Sequence, residues 1–252
     1  MMRRLVLMMT LLSAATAALA APSAPSESPT VTAARLNSQL AIAYLKQNDV
    51  ATAQETIDKA LTQNPHDSVV QVSAGLVYER LQMLDKADRF FATALRLDSH
   101  NPDMINTYAV FQCRRGHYAE GQKLFEQAAR SPSYATPEVA YANAGVCARS
   151  AKNLPQAEEL FRKALKARSD YPDALLQLAD LSFQRGAALA ARGLLDRYFN
   201  VASSTAEALF LAVEVERSLG DAQAADRYRS QLQKEFPDSE QARELRNGTG
   251  GR

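Results

Sequence analysis

A small residue that returns at a nearly constant interval is the feature that most limits what this chain can fold into. The interval is 34 residues in four cases and 36 residues in one. The residues concerned are Ala53, Ala87, Gly121, Ala157, Ala191 and Ala225. The longer interval contains an insert with two prolines, Ser131 to Pro137. Self-similarity at one fixed spacing predicts a stack of equivalent units rather than one globular core.

Other positions of the unit return at the same interval. A large apolar residue stands four positions after the small one, at Ile57, Phe91, Phe125, Phe161 and Leu195. A second small residue precedes the first, at Ala41, Gly75, Ala109, Gly145 and Ala179. Small residues on two helices let the axes approach closely, and the large residue fills the space toward the next unit. Because 34 residues is the tetratricopeptide repeat period, the predicted fold is all-α, a right-handed superhelix (α-solenoid) of helix-turn-helix repeats.

Six repeats can be placed along the chain. They span residues 34–67, 68–101, 102–137, 138–171, 172–205 and 206–239. The first four keep the pattern, whereas Tyr198 replaces a small residue in the fifth and Arg229 replaces the large apolar residue in the sixth. A terminal repeat has no following neighbour, so a polar residue there is expected of a cap. The alternative is an alanine-rich bundle with coincidental spacing, which four near-intact copies at one period disfavour.

The two ends of the chain are expected to lie outside the repeat domain. Residues 1–20 combine Arg3 and Arg4 with a short apolar run and a small-residue cleavage site, which is typical of a secretory signal peptide. A retained anchor is a weaker alternative because the apolar run is too short to span a bilayer. A twin-arginine signal is weaker still, because the surrounding motif is missing. Residues 21–33 are interpreted as a Pro/Ser-rich disordered linker, residues 34–246 as the six-repeat domain and residues 247–252 as a disordered tail.

Charge and motif content disfavour nucleic-acid binding and catalysis. Without the two signal arginines, 27 of the 29 basic residues remain against 28 acidic ones, whereas binding to phosphate backbones needs a net basic face. His66, His100 and His117 are isolated, with no second metal ligand three or four residues away. No nucleophile elbow, phosphate-binding loop or zinc-protease motif occurs. We therefore expect no enzymatic activity, no metal site and no cofactor.

The first helix of each tetratricopeptide repeat lines the inner face of the superhelix, where such proteins bind other polypeptides. Positions 2, 5, 9, 12 and 13 of each repeat form an apolar strip along repeats one to four, bordered by charges such as Lys46, Glu79 and Arg80. The predicted partner-binding groove consists of Ile42, Leu45, Val69, Val72, Leu76, Asn106, Val110, Arg114, Val146 and Arg149. Such a strip suits an extended or helical peptide. The alternative is that its apolar side chains are simply buried by the curvature of the superhelix or by the segment next to the signal peptide.

The chain contains two cysteines, Cys113 and Cys147, on the first helices of adjacent repeats. An even count in an exported protein invites pairing, and stacked helices with axes about 8–10 Å apart could bring the side chains together. Closing the 34-residue loop would stabilise the fold by about 3–4 kcal/mol. Two buried free thiols remain the alternative, because helix-to-helix geometry is not ideal for the Cα separation of a disulfide.

Three sequence blocks around these cysteines are more specific than the repeat positions. They read NTYAVFQC at residues 106–113, SPSYATP at 131–137 and NAGVC at 143–147. In these blocks, and in the number and order of its repeats, the chain resembles the PilF/PilW family of type IV pilus biogenesis and stability proteins, which are pilotin-type tetratricopeptide repeat proteins. The resemblance implies six repeats, an export compartment and a disulfide between Cys113 and Cys147.

The resemblance also implies a function and a partner. Members of the family help the outer-membrane secretin of the pilus to reach the outer membrane, to assemble or to stay stable. They are usually lipoproteins, whereas here no cysteine precedes Cys113 and no lipid anchor is expected. We therefore expect a monomeric periplasmic factor that is associated with the outer membrane through its secretin partner. The alternative is a generic periplasmic scaffold for another envelope assembly, with no secretin partner.

Overall fold

The computed structural model describes residues 28–248, and in that range the chain forms helices and no strands. The helices are α1 Pro29–Lys46, α2 Val50–Gln63, α3 Ser68–Arg80, α4 Leu84–Leu97, α5 Pro102–Arg114, α6 Tyr118–Ala129, α7 Pro137–Ser150, α8 Leu154–Ala167, α9 Pro172–Gln184, α10 Ala188–Val201, α11 Ala206–Ser218, α12 Ala222–Glu235 and α13 Glu240–Arg246. Helices α1 to α12 form six hairpins, in which the odd-numbered member is helix A and the even-numbered member is helix B. The all-α prediction is confirmed.

The start of the first helix corrects one predicted boundary. Helix α1 begins at Pro29, so residues 29–33, which the sequence assigned to the linker, are helical. Ser28 accepts a hydrogen bond from the backbone N–H of Val31 at 3.3 Å, and proline suits the first turn because its missing N–H would have no partner there. The predicted signal peptide, linker residues 21–27 and tail residues 249–252 lie outside the described residues.

The turn from helix A to helix B contains one residue in the left-handed conformation in each of the six hairpins. It is a glycine with φ between 78° and 82° in repeats three, five and six, at Gly116, Gly186 and Gly220. In the other three repeats it is Asn48, Gln82 or Lys152, with φ of 59° to 61°. This conformation costs a residue with a side chain about 1–2 kcal/mol. Asparagine tolerates this conformation in repeat one, whereas packing of the two helices, rather than local preference, imposes the turn in repeats two and four.

Helices A and B meet where the sequence repeats its small residues. A Cβ atom added to Gly75 would lie 2.7 Å from Cε1 of Phe91, and one added to Gly145 would lie 2.5 Å from Cε1 of Phe161. Both phenylalanines are buried. The ring of Phe91 also reaches the next repeat, where its centroid is 4.9 Å from that of Phe111. Each glycine thus admits a ring, and in the second repeat that ring also packs against the next hairpin.

A disulfide joins α5 to α7 at the point where the repeat interval lengthens. The Cα atoms of Cys113 and Cys147 are 5.6 Å apart, within the range of natural disulfides. Gly121 leaves room for this bond, because a Cβ atom at that position would overlap Sγ of Cys113. Tyr134 of the two-proline insert is buried in the same cluster as Cys147. Of the two states that the sequence left open, the structure has the disulfide.

The two ends of the helical stack differ. Helix α13 begins like a seventh helix A, with Ala242 at a position where each of the three preceding repeats has a buried alanine, and it packs against α11 and α12. The expectation that the sixth repeat ends the stack is therefore corrected. Arg229, the polar residue on which that expectation was based, pairs with Asp226 at 2.9 Å. At the other end, Leu36 is 61% exposed, although the equivalent position is buried in every later repeat.

A polar contact links the second and third hairpins. Oδ1 of Asp88 accepts hydrogen bonds from the hydroxyl of Tyr108 at 2.9 Å and from Nε2 of Gln112 at 2.8 Å. Burial, followed by the hydrogen bond to Asp88, raises the pKa of Tyr108 to about 12. The neutral phenol is therefore the form that the fold stabilises.

Replacing Gly145 with alanine is expected to destabilise the protein by about 1–3 kcal/mol, because the added methyl group would be forced against Phe161. The matched control is Gly193→Ala in α10, where an added Cβ meets nothing within 4 Å and alanine improves helix propensity by about 0.5–1 kcal/mol. Urea unfolding followed by circular dichroism measures both. Equal effects of the two substitutions would contradict the close contact.

Removing the disulfide with the double variant Cys113→Ala/Cys147→Ala is expected to lower the free energy of unfolding by about 3–4 kcal/mol, because the unfolded chain loses a loop constraint. The same urea titration measures the loss. With a reducing agent present, the wild-type protein should unfold close to the variant. A wild-type midpoint that is insensitive to reduction would show that the bond contributes nothing.

Alkaline pH is expected to weaken the fold through Tyr108. Since the pKa is raised from 10.0 to about 12 in the folded protein, this contribution is complete below pH 10 and is lost as pH rises toward 12. The variant Tyr108→Phe should therefore show a smaller fall in urea midpoint between about pH 9 and pH 11. An identical fall in both proteins would mean that the phenol does not contribute.

Candidate functional site

A pocket of about 500 Å³ opens on the inner face between the carboxyl ends of α1, α3 and α5. Its apolar lining consists of Ile42, Leu45, Leu76 and Leu84. Its polar and charged lining consists of Lys46, Glu79, Arg80, Gln82, Arg114 and Arg115. Ile42 and Leu76 occupy the same position of successive repeats, 34 residues apart. Stacking of the A helices therefore places an apolar floor beneath a rim supplied by their last turns.

One wall of this first pocket is a partly buried ion pair. Nη1 of Arg114 lies 3.4 Å from Oε1 of Glu79, whose side chain is 13% exposed. Burial raises the pKa of Glu79, and the charge of Arg114 opposes that rise. Loss of hydration thus outweighs the attraction between the two groups. The positive charge of Arg114 balances the charge of the Glu79 carboxylate, and the ion pair forms part of the pocket wall.

The remaining cations of the first pocket differ in how they are paired. Nη2 of Arg115 lies 3.2 Å from Oδ1 of Asp85. Nη2 of Arg80 donates to the neutral side chain of Asn48, at 2.5 Å from Oδ1. Neither Arg80 nor Lys46 forms an ion pair with another residue of the described range. Within residues 28–248, two of the four cations are therefore not paired with an acidic group.

A second pocket, of about 310 Å³, lies farther along the inner face. It is lined by Ala142, Asn143, Val146, Phe161, Asp173, Leu176, Gln177, Tyr198, Thr205 and Glu207. Beside it, Arg149 donates to Oε1 of Gln177 at 2.5 Å and pairs with Asp180 at 2.8 Å. The charged residues that line this second pocket are acidic, whereas those of the first are mostly basic.

Half of the ten predicted groove residues line one of the two pockets, and the other half line neither. Four line the first pocket, namely Ile42, Leu45, Leu76 and Arg114, and Val146 lines the second. Five line neither pocket, namely Val69, Val72, Asn106, Val110 and Arg149. Val72 and Val110 are half-buried and pack against the hydrophobic core. Asn106 accepts a hydrogen bond from Nδ2 of Asn143 at 3.2 Å, and Val69 is 37% exposed.

Several lining residues were missing from the predicted groove. Gln82 lies in the turn of its hairpin, Leu84 begins a B helix and Arg115 lies just beyond an A helix. Counting positions along helix A therefore does not reach these three residues. Lys46 and Arg80 hold position 13 of their repeats and were predicted as charges that border the strip, so the spacing alone places them at the groove. The spacing also places Asp173, Leu176 and Glu207 of the second pocket there, at positions 2 and 5.

The two pockets offer apolar contact, hydrogen bonds and charge. Within residues 28–248, no three histidine, cysteine, aspartate or glutamate side chains are arranged so that they could hold a metal ion. Across the same range, none of the helices is both long and apolar enough to cross a membrane. His117, one of the three isolated histidines, has its Nδ1 at 2.7 Å from Oε1 of Gln112.

Comparisons with known proteins give the chain its relatives. A family model described as tetratricopeptide repeat matches residues 38–102, 113–172 and 148–204. The crystal structure of PilW, a widely conserved type IV pilus biogenesis factor, is 30% identical, with a TM-score of 0.72 over 84% of this chain and 97% of that one. The type IV pilus assembly protein PilF of Pseudomonas aeruginosa is 25% identical over 201 residues, which is 80% of each chain.

A solved structure of Pseudomonas aeruginosa PilF has the same fold. Its TM-score is 0.72 at 24% identity, over 87% of this chain and 99% of that one. The relatives are thus matched over nearly their whole length, not through a few shared repeats. The chain belongs to the tetratricopeptide repeat family and, within it, to the PilF/PilW type IV pilus biogenesis proteins.

Proposed function

We propose that this chain is a non-enzymatic periplasmic protein required for type IV pilus biogenesis. It promotes the assembly, outer-membrane localisation or stability of the pilus secretin, which it binds through the inner groove. The observation that carries the proposal is the match over 97% of the PilW structure and 80% of PilF, combined with an apolar, charged-rimmed pocket on the face that tetratricopeptide repeat proteins use for binding.

The groove has the composition of a peptide-binding surface. An apolar floor removes side chains of the partner from water, which supplies most of the binding free energy at a protein interface. Polar and charged groups at the rim then set register and orientation. Leu76 supplies the floor of the first pocket, and Val146, 47% exposed, supplies apolar surface at the second. A segment that contacts both pockets would lie along the A helices of several repeats.

The fold supports this role by keeping the groove walls in place. The disulfide fastens the third repeat to the fourth, which is also where the inner face passes from the first pocket toward the second. Ion pairs between repeats add to this, as between Arg149 and Asp180. A surface that is ordered before binding loses little conformational entropy when a partner docks. The groove is therefore suited to holding a segment of a larger assembling protein.

Charged substitutions in the floor are expected to abolish capture of the secretin. Leu76→Asp and Val146→Asp each place a carboxylate where an apolar contact is proposed, and each should weaken co-purification of the secretin at least about tenfold. The matched control is Leu189→Asp on α10, since Leu189 is 70% exposed and lines neither pocket. Circular dichroism checks that each variant is folded, and the exposed Val146 keeps the test valid if Leu76→Asp unfolds.

A deletion strain tests the function itself. Envelope fractions should lose the heat-resistant secretin multimer, and secretin monomer should collect in a different membrane from the multimer of the parent strain. The multimer should return on complementation with the wild-type chain and with Leu189→Asp, but not with Val146→Asp. Normal multimers and normal piliation in the deletion strain would refute the proposal and favour a scaffold for another envelope assembly.

A further inference from the structure

The charges around the first pocket are unequal. Four cations line it, Lys46, Arg80, Arg114 and Arg115, against one carboxylate, Glu79. Glu79 forms an ion pair with Arg114, at 3.4 Å. Arg115 forms an ion pair with Asp85, which lies outside the pocket, at 3.2 Å. The positive charges of Lys46 and Arg80, at the edge of the apolar floor, are left over, because neither residue forms an ion pair within residues 28–248.

The leftover cations are not a general requirement of the repeat. A basic residue in the last turn of a helix is favoured by the helix dipole, and helix A of repeats four and six also has an arginine in its last turn. There, however, it sits one position earlier and is paired inside the chain, Arg149 with Asp180 at 2.8 Å and Arg217 with Glu214 at 3.0 Å. Position 13 is basic in the first three repeats and holds serine or glutamine in the last three.

The sign of the groove also reverses along its length. The second pocket is lined by Asp173 and Glu207 and by no basic residue. A segment with the same sign of charge along its whole length would therefore be attracted at one end of the groove and repelled at the other. A segment that is acidic at the first pocket, and not acidic at the second, avoids this repulsion. Charge complementarity thus selects the chemistry of the occupant and its placement.

We propose that the first pocket receives a partner segment in which an apolar side chain is flanked by carboxylates, with Lys46 and Arg80 pairing with those carboxylates. The apolar side chain lies on the floor formed by Leu45 and Leu76. This inference rests on the proposed function, because it assigns the chemistry of the segment that the groove holds. It adds that acidic residues of the partner decide which stretch enters the first pocket.

The first test uses the double variant Lys46→Glu/Arg80→Glu. Capture of the secretin should weaken at least about tenfold, because like charges then face each other. The wild type should lose affinity between low salt and about 0.3 M NaCl, and this salt dependence should disappear in the variant. The matched control is Lys59→Glu/Arg89→Glu, which changes the same net charge on exposed positions of α2 and α4, outside the pocket. Equal capture by the wild type and the pocket variant would overturn the inference.

The second test does not depend on the secretin. A short fluorescent peptide of alternating leucine and glutamate is compared with a twin in which glutamine replaces each glutamate, by fluorescence anisotropy. The wild type and the control variant should bind the glutamate peptide at least about tenfold more tightly, and the pocket variant should lose that preference. Failure to discriminate between the peptides would count against the inference.

The two tests separate the two proposals. Secretin capture that survives in Lys46→Glu/Arg80→Glu but fails in Val146→Asp leaves the proposed function standing and refutes the acidic segment. Discrimination between the peptides without any capture of secretin supports the pocket chemistry and refutes the secretin as partner.

Discussion

In the second and fourth repeats a phenylalanine ring of helix B lies against a glycine of helix A, and the position of the inner-face side chains follows from that contact. Because the ring leaves no room for a Cβ atom at Gly75 or Gly145, the two helix axes are held at one separation. Phe91 then extends to Phe111 of the following hairpin. The angle between hairpins, and with it the groove, depends on interior packing that tolerates little change of volume.

The place where the period lengthens is also where the chain is covalently fastened. The two-proline insert separates α6 from α7, and closing a longer connection has a higher cost in conformational entropy. Tyr134 from the insert is buried in the cluster that contains Cys147, and the disulfide ties α7 back to α5. Gly121 completes the arrangement by leaving space for the sulfur of Cys113. The irregularity is thus compensated by packing and a bond, and the third and fourth repeats stay in register.

Most of the fold could be predicted from the sequence, whereas the site could be predicted only in part. The 34-residue spacing is a local regularity, so hairpins, helix order and the small-to-large contacts follow from it. Helix α13 was placed inside the domain that ends at residue 246 but was not recognised as the start of a further repeat, because a short charged segment carries little periodic signal, although Ala242 keeps the spacing. The first pocket needed Leu84 and Arg115, which lie outside helix A: Leu84 begins the B helix of the same hairpin as Leu76, and Arg115 comes from the next repeat. The way these elements meet depends on the sum of many contacts, which residue spacing does not encode.

The arginines along the groove are used in two ways. In the carboxyl-terminal half, Arg149 and Arg192 pair with acidic groups of the following repeat, Asp180 and Glu216, and so hold neighbouring hairpins together. Such pairs are satisfied before any partner arrives, and breaking them to bind a ligand would cost free energy. Among the residues that the structure describes, Arg80 has only a neutral acceptor, so a carboxylate can be accepted without that loss. A groove that must both keep its shape and recognise a charged segment needs the two kinds of arginine in different repeats.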